Sequence, residues 1–244
     1  MTESKDVPTS PTGLPHVAGH AHADVTGGWL RAATFGAMDG LVSNTALIAG
    51  VAASADAHTV VISGVAGLLA GAFSMALGEY TSVQTANEQI DSEVRVERRS
   101  FELSPQAERA ELAAMLADMG MSPETADRAS AEIHRDQDKA MKFHLVQELG
   151  VHPEEKPSPW VAAFSSFFLF SIGAVIPLIP YLLGFASLWA GLACGGVGLL
   201  LVGGAAATFT RRPPVFGAVR QLVLGGAAIA ITYLVGYLIG VAVT

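Results

Sequence analysis

Cysteine is almost absent from this sequence of 244 residues: only Cys194 occurs, inside an apolar stretch. A disulfide needs a second cysteine and a thiolate metal cluster needs several, so the chain alone forms neither. Also missing are a catalytic nucleophile motif, a glycine-rich phosphate loop and the H-E-x-x-H pattern of zinc proteases. These absences argue against an enzyme, and we expect no organic cofactor and no nucleic acid partner.

Charge is scarce as well. Asp, Glu, Lys and Arg make up 15% of the chain and hydrophobic residues 51%, whereas soluble domains are about 25% charged. With its positive mean hydropathy, the chain is predicted to be an integral membrane protein with the lipid bilayer as a partner. The first 28 residues lack the apolar core of a cleaved signal peptide. We expect a disordered tail there, in which His16, His20 and His22 are at most a weak metal site.

Long charge-poor segments predict five membrane-spanning helices, since about 20 apolar residues cross the hydrocarbon core. The spans are expected at about 32–53 and 59–83, as a pair within the charge-free stretch between Lys156 and Arg211 with a turn near 184–187, and after Arg220. Glycines recur four residues apart, at 36/40, 67/71, 191/195 and 236/240. Small residues at this spacing let helices approach closely, which predicts a compact, oligomeric bundle.

The basic residues indicate an orientation. If the first span enters from the cytosol, all fourteen Lys and Arg lie in cytosolic segments or at their borders. The outer loops, near 53–58 and 184–189, and the C-terminus hold none. By the positive-inside rule the N-terminal tail and residues 84–159 are cytosolic, and the C-terminus lies outside.

The segment between the second and third spans is acidic. Residues 88–159 contain sixteen acidic and nine basic residues, which predicts a cytosolic domain. Ser-Pro pairs and glycines, typical of helix starts and ends, place three short helices at about 105–119, 123–136 and 138–149, with the next span starting near Trp160. The expected organisation is a tail (1–28), two spans (29–87), an acidic helical metal-binding domain (88–157) and three spans (158–244).

One carboxylate, Asp39, lies inside the first span. A charge at that depth costs roughly 2.5–3.5 kcal/mol. Met75 is expected at a similar depth on the second span, and with the Asn44 amide this makes a polar spot suited to a divalent transition ion in transit. Alternatively, Asp39 bonds a neighbouring helix and Met75 fills the core. Glu79 lies near the boundary, where it can reach water.

The acidic segment pairs its ligand-type side chains along helix faces. Glu93 and Glu97, Glu108 and Glu111, and His144 and Glu148 are three or four residues apart, so each pair shares one face. Carboxylates with one imidazole suit Fe²⁺, Mn²⁺ or Zn²⁺. Acidic pairs also decorate ordinary solvated helices, so the spacing alone does not decide.

Several motifs together resemble the vacuolar iron transporter family. They are DGL at 39–41, LAGAFSMALGEY at 69–80, IPLIPY at 176–181 and the acidic insert, in order from about Trp29 to the end. The resemblance implies a homodimer of five-helix protomers that moves Fe²⁺ or Mn²⁺ out of the cytosol in exchange for protons. It also implies a cytosolic domain that collects metal on glutamates.

The resemblance assigns roles to individual residues. Asp39 and Met75 match the pathway positions of the first two helices. The cytosolic metal-binding glutamates are matched by Glu97, Glu108, Glu111 and Glu148.

Three positions depart from the family pattern. Ser100 stands where a glutamate is expected, although Glu102 is close enough to substitute, and His144 stands where relatives can have methionine. Gly67 stands where some relatives carry a carboxylate. Proton coupling would then depend on Glu79 or Asp39.

The sequence as a whole predicts an all-α membrane protein that exports divalent transition metal, with Fe²⁺ or Mn²⁺ as the substrate and Zn²⁺ as a possible substitute. The expected partners are metal ions, protons, lipid and a second copy of the chain. The alternative is a membrane-anchored metal-binding or sensing protein that does not transport. The membrane is expected to be the cell membrane of a prokaryote or an organelle membrane of a eukaryote.

Overall fold

A computed structural model describes residues 29–53, 55–150 and 156–243, and these residues form helices and turns without any strand. The predicted tail, with His16, His20 and His22, lies outside the described residues. In chain order the helices are α1 (Trp29–Ala52), α2 (Ala57–Leu103), α3 (Pro105–Asp118), α4 (Pro123–Ile133), α5 (Gln137–Leu149), α6 (Pro159–Val175), α7 (Ile179–Leu182), α8 (Leu188–Phe209) and α9 (Pro214–Val243).

Five helical segments are long and apolar enough to cross a membrane, which confirms the predicted number. They are Ala32–Ala52, the apolar part of α2, Pro159–Leu182, Leu188–Phe209 and Pro214–Leu238. The last begins before Arg220 rather than after it, because Pro214 suits the first turn of a helix. Long basic side chains such as that of Arg220 can reach water from the end of a span.

The third span is interrupted near its end. A short 3₁₀ turn, Ile176–Leu178, connects α6 to α7, because Pro177 and Pro180 cannot donate backbone hydrogen bonds. Leu178 and Tyr181 are buried there in a small core with Ile48 and Val60. The motif IPLIPY therefore forms a packed 3₁₀ turn that joins α6 to α7 rather than one uninterrupted α-helix.

Helix α1 occupies the centre of the bundle, in contact with α2, α6, α8 and α9. Where α1 crosses α6, the two backbones are so close that a side chain at Gly40 or Gly173 would collide with the other helix. A Cβ added at Gly40 would lie 2.1 Å from the carbonyl oxygen of Phe170, and one at Gly173 would lie 2.3 Å from that of Ala37. This approach of small residues fixes α1 against α6 at Gly40, while the neighbouring Asp39 side chain stays exposed on the other side of α1.

Helix α2 is continuous over 47 residues, about 70 Å at 1.5 Å per residue. The hydrocarbon core of a bilayer is only about 30 Å thick, so the acidic half of α2 extends beyond it. The expected division between residues 87 and 88 falls inside this helix. Helices α3 and α5 pack on its far end, and α3 and α4 share a core of Leu112, Leu116 and Ala126.

Candidate metal cluster and membrane groove

Three helices bring metal-ligand side chains together beyond the membrane half of α2. Glu97 comes from α2, Glu108 from the first turn of α3 and His144 from the middle of α5. One ligand atom from each lies within 4.8 Å of the others. The residues are far apart in sequence, so the packing of α3 and α5 on α2 builds the cluster.

His144 is the centre of this cluster. Its side chain is fully buried, and its Nδ1 lies 3.2 Å from Oε1 of Glu148, 3.3 Å from Oε1 of Glu97 and 3.7 Å from Oε2 of Glu108. Three carboxylate oxygens therefore lie within 3.7 Å of one nitrogen, and Nδ1 is hydrogen-bonded to Oε1 of Glu148. This donor set suits a divalent transition ion.

Aromatic rings fix the orientation of the imidazole. The Phe101 ring is perpendicular to that of His144 with centroids 5.1 Å apart, and the His134 ring is perpendicular to it at 5.5 Å. The Phe101 and His134 rings are parallel, 5.5 Å apart. His134 is itself held by a 2.9 Å contact between its Nδ1 and the carbonyl oxygen of Ser130. Nothing in the sequence pattern indicated this enclosure.

Ser100 orients one of the carboxylates. Its hydroxyl donates a hydrogen bond to Oε1 of Glu108, which leaves Oε2 of Glu108 on the side of His144. The position expected to hold a glutamate thus holds a residue that positions another glutamate.

Crowding of carboxylates shifts their acidity. Burial, followed by the charges of Glu148, Glu108 and Glu111, raises the pKa of Glu97 from its usual 4.5 to about 7. Burial and the charges of Glu148 and Glu108 also raise the pKa of Glu111. The cluster therefore carries repulsion between negative charges that a divalent cation would relieve.

The remaining acidic candidates of this segment lie apart. Glu93 is one turn before Glu97 on α2, and Glu102 is exposed. Within the described ranges neither makes a hydrogen bond or ion pair with the cluster. Glu97, Glu108, Glu111, His144 and Glu148 are thus brought together, and Glu93 and Glu102 are not.

A second candidate site lies between the membrane halves of α1 and α2. A groove of about 460 Å³ contains three of the four predicted pathway residues, Asp39, Asn44 and Met75. Ser43 and Ser74 also line it, although the sequence analysis did not select them; Ser43 is one turn after Asp39 and shares its face. Glu79 is buried one turn beyond Met75 and does not line the groove.

Two polar groups in the groove are available for a ligand. Asn44 donates from Nδ2 to the carbonyl oxygen of Ala174 at 2.6 Å, while its buried Oδ1 has no hydrogen-bond partner among the described residues. Asp39 makes no hydrogen bond or ion pair within the described ranges, so nothing there supports the alternative in which it bonds a neighbouring helix.

Gly67 also lines this groove. A Cβ at this position would lie 2.4 Å from Leu47 and 3.3 Å from Oδ1 of Asn44. A carboxylate side chain at position 67 would require Leu47 to move. The structure is therefore packed around glycine here.

The VIT family model matches residues 30–237. A vacuolar iron transporter from Acanthamoeba castellanii is 34% identical over 92% of this chain and 84% of its own length. Vacuolar iron transporter 1 from Oryza sativa subsp. japonica is 30% identical over 88% of each chain, and that from Arabidopsis thaliana is 30% identical over 93% of this chain and 91% of its own. The resemblance found in the sequence motifs is confirmed: this chain belongs to the VIT family.

Proposed function

We propose that the protein is a transporter that moves Fe²⁺, Mn²⁺ or both out of the cytosol. The observation that carries the proposal is the pairing of two sites on one helix. Helix α2 presents Glu97 to a carboxylate and imidazole cluster at one end and Met75 to a membrane groove with Asp39 at the other. The names of the relatives support iron as a substrate.

The cluster is the collecting site, on the cytosolic side of the membrane. All Lys and Arg residues lie in or beside the segments assigned to that side, which supports an integral, multi-pass protein with its N-terminus and residues 84–159 in the cytosol. Negative charge at the cluster raises the local concentration of divalent cations. Carboxylates alone do not separate Fe²⁺ from Mn²⁺.

The groove is the membrane pathway. The Asp39 carboxylate compensates the charge of the ion in a low-dielectric setting, and Met75 offers a thioether sulfur beside it. Oδ1 of Asn44 can replace a water ligand. Ser43 and Ser74 supply further oxygens along the same wall.

A homodimer follows from the position of Asp39. In the single protomer this residue is exposed on α1, between the groove described above and a second one that contains Phe35, Met38 and Gln221. A carboxylate facing lipid is costly. A second protomer that covers α1 would enclose Asp39 and close the groove.

Proton antiport is the proposed coupling. Because position 67 holds glycine, the carboxylates that remain within the apolar parts of the spans are Asp39 and Glu79. Asp39 lines the groove proposed as the ion path, so binding of a proton and of a metal ion there would be mutually exclusive.

Metal uptake into proteoliposomes tests the function. Purified protein is reconstituted, Fe²⁺ and Mn²⁺ are supplied separately, and uptake is measured with and without a pH gradient. We expect uptake to rise when the interior of the proteoliposomes is more acidic than the outside. In the Glu97→Gln/Glu108→Gln variant we expect uptake to fall at low metal concentration. The matched control is Glu124→Gln, an exposed glutamate of α4. Metal binding without any uptake would instead support the anchored binding or sensing protein.

A further inference from the structure

The ligand atoms of the cluster are carboxylate oxygens except for one, the imidazole nitrogen of His144 at its centre. Nδ1 of His144 faces Glu97, Glu108 and Glu148, and the imidazole is fully buried. A buried imidazole at that position determines which ions the cluster accepts, since imidazole suits Zn²⁺, Fe²⁺ and Ni²⁺, whereas Mn²⁺, Mg²⁺ and Ca²⁺ favour carboxylate, carbonyl and water oxygens.

The spacing of the donors matches a small ion. An ion held 2.0–2.1 Å from tetrahedral ligands separates any two of them by about 3.3 Å. The three distances from Nδ1 to carboxylate oxygens are 3.2, 3.3 and 3.7 Å. Ca²⁺ instead takes 6–8 oxygens at 2.3–2.6 Å, and Mg²⁺ keeps several of its waters, so a nitrogen donor among the carboxylates suits neither.

The imidazole is held in this orientation by its surroundings. The Phe101 and His134 rings pack perpendicular to it. Ser100 holds Glu108 by its other oxygen. His144 and Glu108 are thus placed before any ion binds, and such placement is the condition for selecting among ions by size and ligand type.

We propose that His144 is the specificity-determining residue of the cluster and makes it select Zn²⁺, Co²⁺ and Fe²⁺ over Mn²⁺, Mg²⁺ and Ca²⁺. This inference rests on the proposed role of the cluster as a metal-collecting site. It goes further in that it ranks the ions and assigns the ranking to one nitrogen atom. Ligation through Nδ1 replaces its hydrogen bond with Glu148 and puts the ring proton on Nε2, which is buried without a hydrogen-bond partner among the described residues.

The decisive variant is His144→Asn, because the amide oxygen of asparagine can occupy nearly the place of Nδ1. It exchanges nitrogen for oxygen and keeps the number of ligands. Full-length protein in detergent is titrated with Zn²⁺, Co²⁺ and Mn²⁺ in competition, with His16, His20 and His22 changed to Asn throughout so that the tail does not contribute.

We expect the wild-type cluster to bind Co²⁺ and Zn²⁺ at least about tenfold more tightly than Mn²⁺, in line with the general order of affinities. In His144→Asn this preference should shrink by about tenfold, with Mn²⁺ affinity nearly unchanged. The matched control is His58→Gln, an exposed histidine in the first turn of α2, which should keep the wild-type preference.

Two outcomes separate this inference from the proposed function. If wild type and Glu97→Gln/Glu108→Gln bind metal equally, the collecting site itself is wrong. If the cluster binds metal but His144→Asn keeps the wild-type preference, only the role of His144 is wrong. Should His144→Asn fail to fold, X-ray absorption spectroscopy at the zinc edge replaces it, on protein with bound Zn²⁺ that keeps His144 and has the tail histidines changed, and a spectrum without the scattering of one imidazole ligand overturns the proposal.

Discussion

At the scale of single residues, Glu97 shows a conflict between charge and burial. Its carboxylate is partly buried on α2 and faces Glu108 and Glu148 across a few ångströms. Protonation relieves the conflict in the absence of metal, which is why its pKa rises to about 7. A divalent ion relieves it in another way, and protons and metal therefore compete at this residue.

This competition predicts how metal binding depends on pH. Below about pH 7 an ion must displace the proton of Glu97, so we expect the apparent affinity to fall by up to about tenfold per pH unit. Above pH 7 the dependence should flatten. Calorimetric titration of the full-length protein between pH 5.5 and 8 measures it. Glu124→Gln should keep the break near pH 7 and Glu97→Gln should lose it; equal affinity at pH 5.5 and 7.5 would contradict the assignment.

The folding stability of the metal-free protein depends on pH in the opposite direction to metal binding. The folded pKa of Glu97 is raised, so its contribution to stability is fully present below the ordinary value of 4.5 and is lost as the pH rises through about 7. Added metal should restore that stability at high pH, because it binds the ionised folded state.

At the scale of helices, close packing of glycines predicts a large effect of small changes. Gly173→Ala should strongly destabilise the bundle, by about 1–3 kcal/mol or more, because a Cβ there would lie 2.3 Å from the carbonyl oxygen of Ala37. Thermal unfolding in detergent, followed by circular dichroism, measures the loss. Gly226→Ala is the matched control, since a Cβ at Gly226 meets nothing within 4 Å. Equal stability of the two variants would show that α1 and α6 separate easily.

Helix boundaries were predictable where a local signal exists. The prolines after Ser104 and Ser122 begin α3 and α4, and Gly150 ends α5 in the left-handed conformation with φ of 62°. The 3₁₀ turn at Pro177 was not predicted, although its physical cause is equally local. The start of α9 at Pro214 was placed too late, because Arg220 was taken as the edge of the span rather than as a residue within the helix.

Assembly of the cluster was only partly predictable. The pairs that share a helix face follow from residue spacing. The contact of α2, α3 and α5 depends on tertiary packing, which residue spacing does not predict. His134 and Phe101 therefore escaped notice, and Glu93 and Glu102 were included on spacing and proximity alone. The polar character of α1 around Asp39 was visible because a charge in an apolar span is rare.

At the scale of the whole molecule, collection and passage are separated in space. Met75 and Glu97 are 22 residues apart on one helix, which is about 33 Å. No metal-binding side chain can contact an ion at both sites over that distance. An ion must therefore leave the cluster before it reaches the groove, and each site should respond to mutation independently.

Asp39→Asn tests this separation, because it keeps the size and hydrogen-bonding capacity of the side chain and removes the charge that compensates a cation in the membrane. We expect the variant to bind metal at the cluster with wild-type affinity, measured by calorimetry. We also expect it to lose at least about 90% of uptake into proteoliposomes, because the attraction between a carboxylate and a cation at low dielectric amounts to several kcal/mol. Asp56→Asn is the control, since Asp56 is an exposed carboxylate that caps α2 at Thr59; it should transport normally.

Wild-type uptake by well-folded Asp39→Asn would make Asp39 a packing residue. Loss of binding together with uptake would mean that the two ends of α2 are coupled, because a change in the groove would then have altered a cluster about 33 Å away.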